Sequence, residues 1–508
     1  METKLKTEKV LLKKEKLSVN IEQIVENDMS LPDYYGDIVK ILGCTAQTNV
    51  YSAAITGDKA VVDGNILIRT LYVNSSSKTE VFECAYPFNR SIDVKDASDT
   101  DVVSVATVSE QMTCRAVNQR RADIRGSVSL RVSVAGVNDC NIITDASEEN
   151  CHTLKKCAEG SFLVGSISKS YTLSTSVDTE DAVKTAKLYR VSSLPVVNEV
   201  KTIKNKMMIK GGISVDAVFI DENGGFASQK INLPFNQITD MDGIDEESKC
   251  CVSLSVRSVD LRLTSDATQA RSGIEISAIV SADIDAYKNG SVEIITEAYS
   301  PACELICTQN TIPCVSTIQH VSENYTVTSN MDFSSSKVQR IADASVRRVR
   351  CTVHGEGREI VCKGNLHFGL IAESEEGEKL YFERIADFEY KKQLGFDMGD
   401  FEFEPEINVS GINSTVSGNS ETVITTELHI DGFIRTLENY EAVTFIEKGR
   451  ETVRDASDAV ITVYFASAGE RLWDIAKQHG SSVELIQEMN DISDDTLAGD
   501  CMLIFPLE

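Results

Sequence analysis

The feature that most limits what this 508-residue chain can fold into is that it repeats itself. Lys59 to Val73, KAVVDGNILIRTLYV, aligns with Lys206 to Ile220, KMMIKGGISVDAVFI, at an offset of 147 that lays Lys59 on Lys206 and Gly64 on Gly211. The same offset carries Pro87-Phe88-Asn89 onto Pro234-Phe235-Asn236. An offset of 300 places Gly64-Asn65 on Gly364-Asn365, Phe82-Glu83 on Phe382-Glu383 and Phe88 on Phe388, with the Pro and Asn of the tripeptide lost. A long period repeated in one register means one architecture used several times. We read three units, at residues 30–150, 170–300 and a more diverged 325–437.

Within the units the hydrophobic period is that of strands. Ser127 to Val134 reads S-V-S-L-R-V-S-V, with Val128, Leu130, Val132 and Val134 on one face and Ser and Arg on the other, the signature of a half-buried strand. Ile274 to Ile284 alternates likewise, and Asp63-Gly64, Asn223-Gly224 and Asn289-Gly290 read as turns between runs. Gly64, Gly211 and Gly364 are accordingly expected at turns or bulges that need a positive φ. Asp178 to Leu188 predicts a short helix capped by Asp178 or Thr179. The fold class expected is mainly β, with three repeated β-sandwich-like units.

The flanks carry weaker signals. Residues 1–29 read as a basic, solvated tail in preference to a segment lying on an anionic membrane, and they have neither the apolar run nor the cleavage site of a signal peptide. Residues 438–459 mix charges with little periodicity and read as a linker. Seventy-eight acidic against 50 basic side chains leave a net charge of −28, which disfavours binding to a phosphate backbone, so no nucleic acid is expected as a partner. No apolar run approaches the ~18–20 residues of a spanning helix, so no transmembrane segment is expected. The 14 cysteines include no C-x-x-C pair and read as free thiols of a reducing compartment. Cys140, Cys151, His152 and Cys157 cluster in sequence, but their spacing matches no common zinc pattern; no metal is expected. Metalloprotease, nucleophile-elbow, Walker and dinucleotide-binding motifs are all missing, so neither catalysis nor a cofactor is predicted.

From residue 460 to 508 the pattern changes to strand, helix, helix, strand. The predicted elements are Ile461 to Phe465, Arg471 to His479 stopped by Gly480, Val483 to Met489 capped by Ser481 or Ser482, and Cys501 to Phe505. This βααβ segment resembles the LysM domain through Gly469, Leu472, Trp473, Ile475, Ala476, Gly480, Val483, Leu485, Asn490, Leu497, Gly499, Leu503 and Pro506. Glu470 and Arg471 depart from the Asp-Thr usual there, and Phe505 from the Ile that often precedes the Pro. The resemblance implies a groove for an N-acetylglucosamine-containing glycan between two loops. Its residues here are Gly469, Glu470, Arg471 and Leu472 on one side and Asn490, Asp491, Leu497, Ala498, Gly499 and Asp500 on the other. Trp473 reads as core rather than as a sugar platform. Nine acidic side chains against Arg471 and Lys477 between Val460 and Glu508 give the segment a balance of −7, which suits a basic patch on a protein better than an anionic wall polymer.

Three β units followed by one LysM resemble the clostridial spore coat morphogenetic proteins of the SipL type, in which SPOCS domains precede a LysM domain. The resemblance implies a non-enzymatic scaffold made in the mother-cell cytoplasm and placed at the forespore surface. It also implies the coat-basement ATPase and other coat proteins as partners, with LysM as the docking module. The alternative it leaves open is a peptidoglycan-binding protein acting through LysM.

Overall fold

The computed structural model describes residues 5–146, 151–178, 186–266, 271–333, 336–416, 421–451 and 461–506. The first unit consists of β1 (Leu5–Ser30), β2 (Ile38–Thr56), β3 (Lys59–Asn74), β4 (Thr79–Asp93), β5 (Val102–Asn118) and β6 (Arg121–Ala146). The second repeats this order as β7 (His152–Asp178), β8 (Lys187–Ile203), β9 (Lys206–Ile220), β10 (Phe226–Asp240), β11 (Lys249–Asp266) and β12 (Arg271–Tyr299). The third runs β13 (Cys303–Asp332), β14 (Val338–Glu356), β15 (Glu359–Ser374), β16 (Lys379–Gln393), a fifth position split into β17 (Asp400–Glu402) and β18 (Glu406–Val416), and β19 (Glu421–Glu451).

In every unit the first strand pairs antiparallel with the last over its whole length, and the middle three strands form a separate meander. The meander packs on the outer half of the long pair, so each unit is a two-layer sandwich. In the first, Val62, Ile66 and Ile68 of β3 share one core with Val128, Leu130, Val132 and Val134 of β6. Alternation accounts for this: those four β6 side chains are fully buried, while Arg131 between them is exposed. Each such burial is worth about 1.5–3 kcal/mol.

The repeated glycines lie inside strands rather than at turns. Gly64, Gly211 and Gly364 pair with Phe88, Phe235 and Phe388 of the neighbouring strand. What they require is space, not a positive φ. A Cβ on Gly64 would stand 2.2 Å from the Asn49 carbonyl, on Gly211 2.2 Å from that of Val196, and on Gly364 1.9 Å from that of Arg350. Asn289-Gly290 likewise falls within β12, whereas Asn223-Gly224 is a turn with Gly224 at φ 81°.

The inner halves of the long strands form a second layer of organisation. A bulge at Lys16, Val164 or Ser316 bends each long hairpin, and beyond it the three ribbons converge on a shared hub. Val10, Cys140, Ala158, Ile294, Ile312 and Ala442 belong to one apolar cluster there, and Ile143, Ile295 and Val443 to the next. A further bulge in each return strand carries a threonine. Thr144, Thr296 and Thr444 donate to the Lys6, Leu154 and Thr308 carbonyls at 3.2, 3.1 and 3.3 Å. At the opposite end the three meanders meet around Leu42, Tyr189, Leu71, Val218 and Ile371. These are corresponding positions, so the units surround a pseudo-threefold axis.

The hub corrects three expectations. Residues 5–29 are not a frayed tail but most of β1, because Val10, Val25 and Met29 are buried and the lysines find carboxylates inside the molecule. Lys9 reaches Asp139 at 2.7 Å, Lys13 reaches Asp285 at 2.8 Å, and Lys16 is nearly buried against Asp101 at 2.8 Å. The stretch expected as a linker continues β19 to Glu451, with Ala442 and Val443 fully buried; 452–460 lie outside the described residues. The units therefore start before 30, 170 and 325, and the third ends after 437. Of the helix expected at Asp178 to Leu188, Asp178 closes β7 and Lys187-Leu188 open β8, while 179–185 lie outside the described residues.

After the third unit come β20 (Ile461–Ala466), α1 (Leu472–His479), α2 (Val483–Asn490) and β21 (Cys501–Pro506). Gly480 ends α1 at φ 63°, and Ser482 caps α2 by accepting from the Leu485 amide. No helix among the described residues is long and apolar enough to cross a membrane.

Candidate functional site

The C-terminal module has a two-stranded sheet, β20 with β21, against which both helices pack around Leu472, Ile475, Ala476, Ile486, Leu503 and Phe505. The loop entering α1 and the loop entering β21 are laced together. The Gly469 amide donates to the Leu497 carbonyl at 2.8 Å, Leu497 donates to Glu470 at 3.0 Å, and Leu472 donates to Asp495 at 2.9 Å. Asp500 accepts from the Ala468 amide at 2.9 Å. The structure thus brings Gly469, Glu470, Arg471 and Leu472 beside Leu497 and Asp500.

The ten predicted groove residues divide by environment. Leu472 and Leu497 are buried in the module's core. Asn490 is committed to the fold: its amide donates to the Ile486 and Ile504 carbonyls and accepts from the Ile504 amide, all at 2.8 Å. Asp491 is exposed in the left-handed cap of α2 at φ 53°. Gly469, Ala498, Gly499 and Asp500 are exposed, and a Cβ on either glycine would meet nothing within 4 Å. Glu470 is half-buried, and its Oε2 is enclosed without a hydrogen-bond partner.

Trp473, the chain's one tryptophan, is 8% exposed and joins the module to the hub. Its ring meets Tyr299 of β12 edge to face at 4.9 Å, and its Nε1 donates to Glu297 Oε2 at 3.2 Å. The Tyr299 hydroxyl donates to the Ser481 carbonyl at 2.7 Å. Lys477 donates to Glu297 at 2.8 Å and Arg471 stands 3.9 Å from it. The Lys477 hydrogen bond leads the contacts that hold the Glu297 carboxyl below its usual range, against the opposing pull of partial burial. Arg471 also chelates Asp474 at 2.8 Å. Both basic side chains of the module are thereby engaged, and among the described residues Glu484, Glu488, Asp491, Asp494, Asp495 and Asp500 pair with no lysine or arginine of their own module.

The sequence reading missed the outer face of the small sheet. Ile461, Val463 and Phe465 of β20 and Met502 of β21 are 53, 53, 77 and 53% exposed. Phe465 pairs with Met502 and Val463 with Ile504, so these side chains form one apolar strip. The signal was present in the alternation of I-T-V-Y-F-A, whose apolar positions point outward and whose Thr462, Tyr464 and Ala466 point in. The mount on Glu297 and Tyr299 left no local signature, because those residues lie about 180 positions from Trp473.

Of the group clustered in sequence, Cys140 is buried in the hub, Cys157 is exposed, and the His152 ring lies against Tyr299. No group of three or more potential ligands converges among the described residues.

Comparison with protein families matches the SPOCS domain of SipL at residues 37–117 and 184–264 and the LysM domain at 467–498. Comparison with curated proteins and with solved structures gave no match. The two SPOCS matches cover the meander and fifth strand of the first and second units. The third unit repeats the same strand plan without a family match. Both domain types are non-catalytic binding modules.

Proposed function

We propose that this chain, with two SPOCS domains of the SipL type and a C-terminal LysM domain, is a spore-envelope scaffold whose LysM module docks on a protein. In this reading it acts in the mother cell at the forespore surface, with the coat-basement ATPase as its partner and other coat proteins as further contacts; the SPOCS and LysM matches support a spore-associated role. The observation that carries the reading is the exposed apolar strip of Ile461, Val463, Phe465 and Met502 on an acidic module. Apolar side chains in the middle of a patch supply binding energy, and charges at its rim select and steer the partner. A partner with an apolar surface ringed by lysine or arginine matches both.

One observation favours a second reading. The Oε2 of Glu470 has no hydrogen-bond partner of its own, although the Tyr464 hydroxyl lies beside the carboxylate; the hydroxyl and acetamide groups of a peptidoglycan sugar in the loop groove would supply a donor. The full chain, incubated in parallel with the purified ATPase and with peptidoglycan sacculi, separates the two. Protein docking predicts retention on the ATPase that falls at least tenfold in Val463→Glu/Phe465→Glu while Glu470→Gln leaves it unchanged. Retention on sacculi alone, lost in Glu470→Gln, would replace it with the glycan reading.

A further inference from the structure

The three units close around the pseudo-threefold axis by one recurring contact. The first meander strand of each unit packs against the fifth strand of the next, β2 on β11, β8 on β18 and β14 on β5. At the first seam the contact is sealed by two side chains of β2. Gln47 donates to the Val259 carbonyl at 2.7 Å, and Asn49 accepts from the Val259 amide at 3.3 Å.

Pairing within the meanders shows what occupies these positions elsewhere. Gln47 and Asn49 pair with Leu67 and Asn65 of β3, and their counterparts by that register are Leu194 and Val196 of β8 and Arg348 and Arg350 of β14. At the seam of the third unit with the first, the two sealing amides are thus replaced by two guanidinium groups. The seam is open there: a cleft of about 980 Å³ is lined by Arg348, Arg350, Lys363 and, from the first unit, Arg131. The second seam holds only about 320 Å³.

The cations of this cleft are under-neutralised in a chain of net charge −28. Four basic side chains line it against Asp387 and Glu389. Glu389 already serves Lys363 at 3.4 Å and Lys391 at 3.0 Å, and among the described residues Arg131 has only Glu404 at 3.7 Å. Among the described residues Arg348 and Arg350 make no ion pair. Arg348 is half-buried, and its pKa is lowered first by loss of water and then by the positive charge of Arg350. Two like charges held together and partly dehydrated favour an anion between them.

We propose that the cleft between the third and first units binds an acidic peptide segment of a partner protein, with Arg348 and Arg350 engaging its carboxylates. A peptide fits better than a membrane or a nucleic acid for two reasons. Val108, Val349 and Ile407 line the cleft together with the cations, which matches a strand alternating acidic with apolar side chains. The net charge of −28 also repels an extended polyanion far more strongly than a short peptide that carries only a few carboxylates. The inference does not rest on the LysM module.

The test uses the full chain and a fluorescein-labelled peptide of alternating Glu and Val, followed by anisotropy. Arg348→Glu/Arg350→Glu is compared with Lys95→Glu/Lys204→Glu, which changes net charge equally at exposed lysines outside the cleft. The expected result is saturable binding that weakens at least 30-fold in the arginine variant and less than threefold in the lysine variant, with unchanged circular dichroism in both. No binding by the unaltered chain, or equal weakening in the two variants, would overturn the proposal. Competition of the peptide by phosphate alone, or tighter arginine-dependent binding to phosphatidylglycerol vesicles, would also overturn it, in favour of a simple anion or a membrane surface.

Discussion

Truncating Tyr299 to Ala is predicted to release the LysM module from the hub. Tyr299 is 7% exposed and shares an apolar cluster with Trp473 and the module's core. Its removal deletes an edge-to-face aromatic pair, worth about 0.5–1.5 kcal/mol beyond area. It also leaves the Ser481 carbonyl without its donor, and large aromatic truncations in packed sites cost about 3–5 kcal/mol in total. Glu297 adds little of its own: its partners Lys477 and Arg471 are 45 and 50% exposed, and exposed ion pairs contribute about 0.2–1 kcal/mol. A loss of about 4 kcal/mol shifts a docking equilibrium by about a thousandfold. Because Trp473 is the chain's one tryptophan, its fluorescence reads the event directly. Tyr299→Ala should move the emission maximum to longer wavelength and raise acrylamide quenching at least threefold, while Tyr299→Phe, which keeps the ring, gives a small change. If emission and quenching are unchanged in Tyr299→Ala, Trp473 is buried by its own module and the mount is not what shields it.

Gly211→Ala should destabilise the second unit by about 2–3 kcal/mol, the upper part of the overpacking range, because the new methyl meets the Val196 carbonyl rather than a movable side chain. Gly395→Ala, where a Cβ meets nothing within 4 Å, should stay within about 0.5 kcal/mol in the same urea titration. Burial pushes the Glu110 carboxyl up to about 7, despite hydrogen bonds from Thr48 that oppose the shift. The folded chain then holds a proton the unfolded chain has lost, so this group's contribution to stability falls as pH rises from about 4.5 to about 7. Glu110→Gln should flatten that part of the urea midpoint's pH dependence, and an unchanged slope would exclude Glu110 as its source. Apart from the exposed Cys157, Cys351 should be the thiol that reacts fastest with a disulfide reagent, since the neighbouring Cys362 thiol lowers its pKa. Cys44 and Cys251, pushed up to about 12 by burial, should react only on unfolding, and loss of the fast phase in Cys351→Ser assigns it.

Legibility in the sequence followed the range of the interactions. The strand alternation of Ser127 to Val134 and the βααβ order of the last module are local patterns, and the structure contains both. The glycines were located correctly and explained wrongly. Their offset identified the repeat, but only the cross-strand geometry shows that a carbonyl two ångströms away, not a turn, excludes the side chain. The ribbons at the hub were missed because basic residues of β1 read as solvated until their partners Asp139, Asp285 and Asp101 are known. A local clue existed in Ile142-Ile143-Thr144, Ile294-Ile295-Thr296 and Ala442-Val443-Thr444, a triplet that marks the three return strands at their bulges. In the module, the loop residues were legible as a group, whereas the use of Asn490 as a brace between α2 and β21 is visible only in its hydrogen bonds.

The cyclic contact between units has a consequence for assembly. A head-to-tail interface repeated between separate chains makes either a ring or an open filament; here all three copies of that interface are consumed within one polypeptide. The frame therefore forms by a unimolecular reaction and persists at any dilution at which the fold itself survives. Any lattice this protein builds must grow through surfaces other than the unit-to-unit contacts themselves. Covalent linkage also frees the three units to diverge, so one LysM module and the one seam that carries Arg348 and Arg350 make one side of the ring unlike the others, which three identical subunits could not provide.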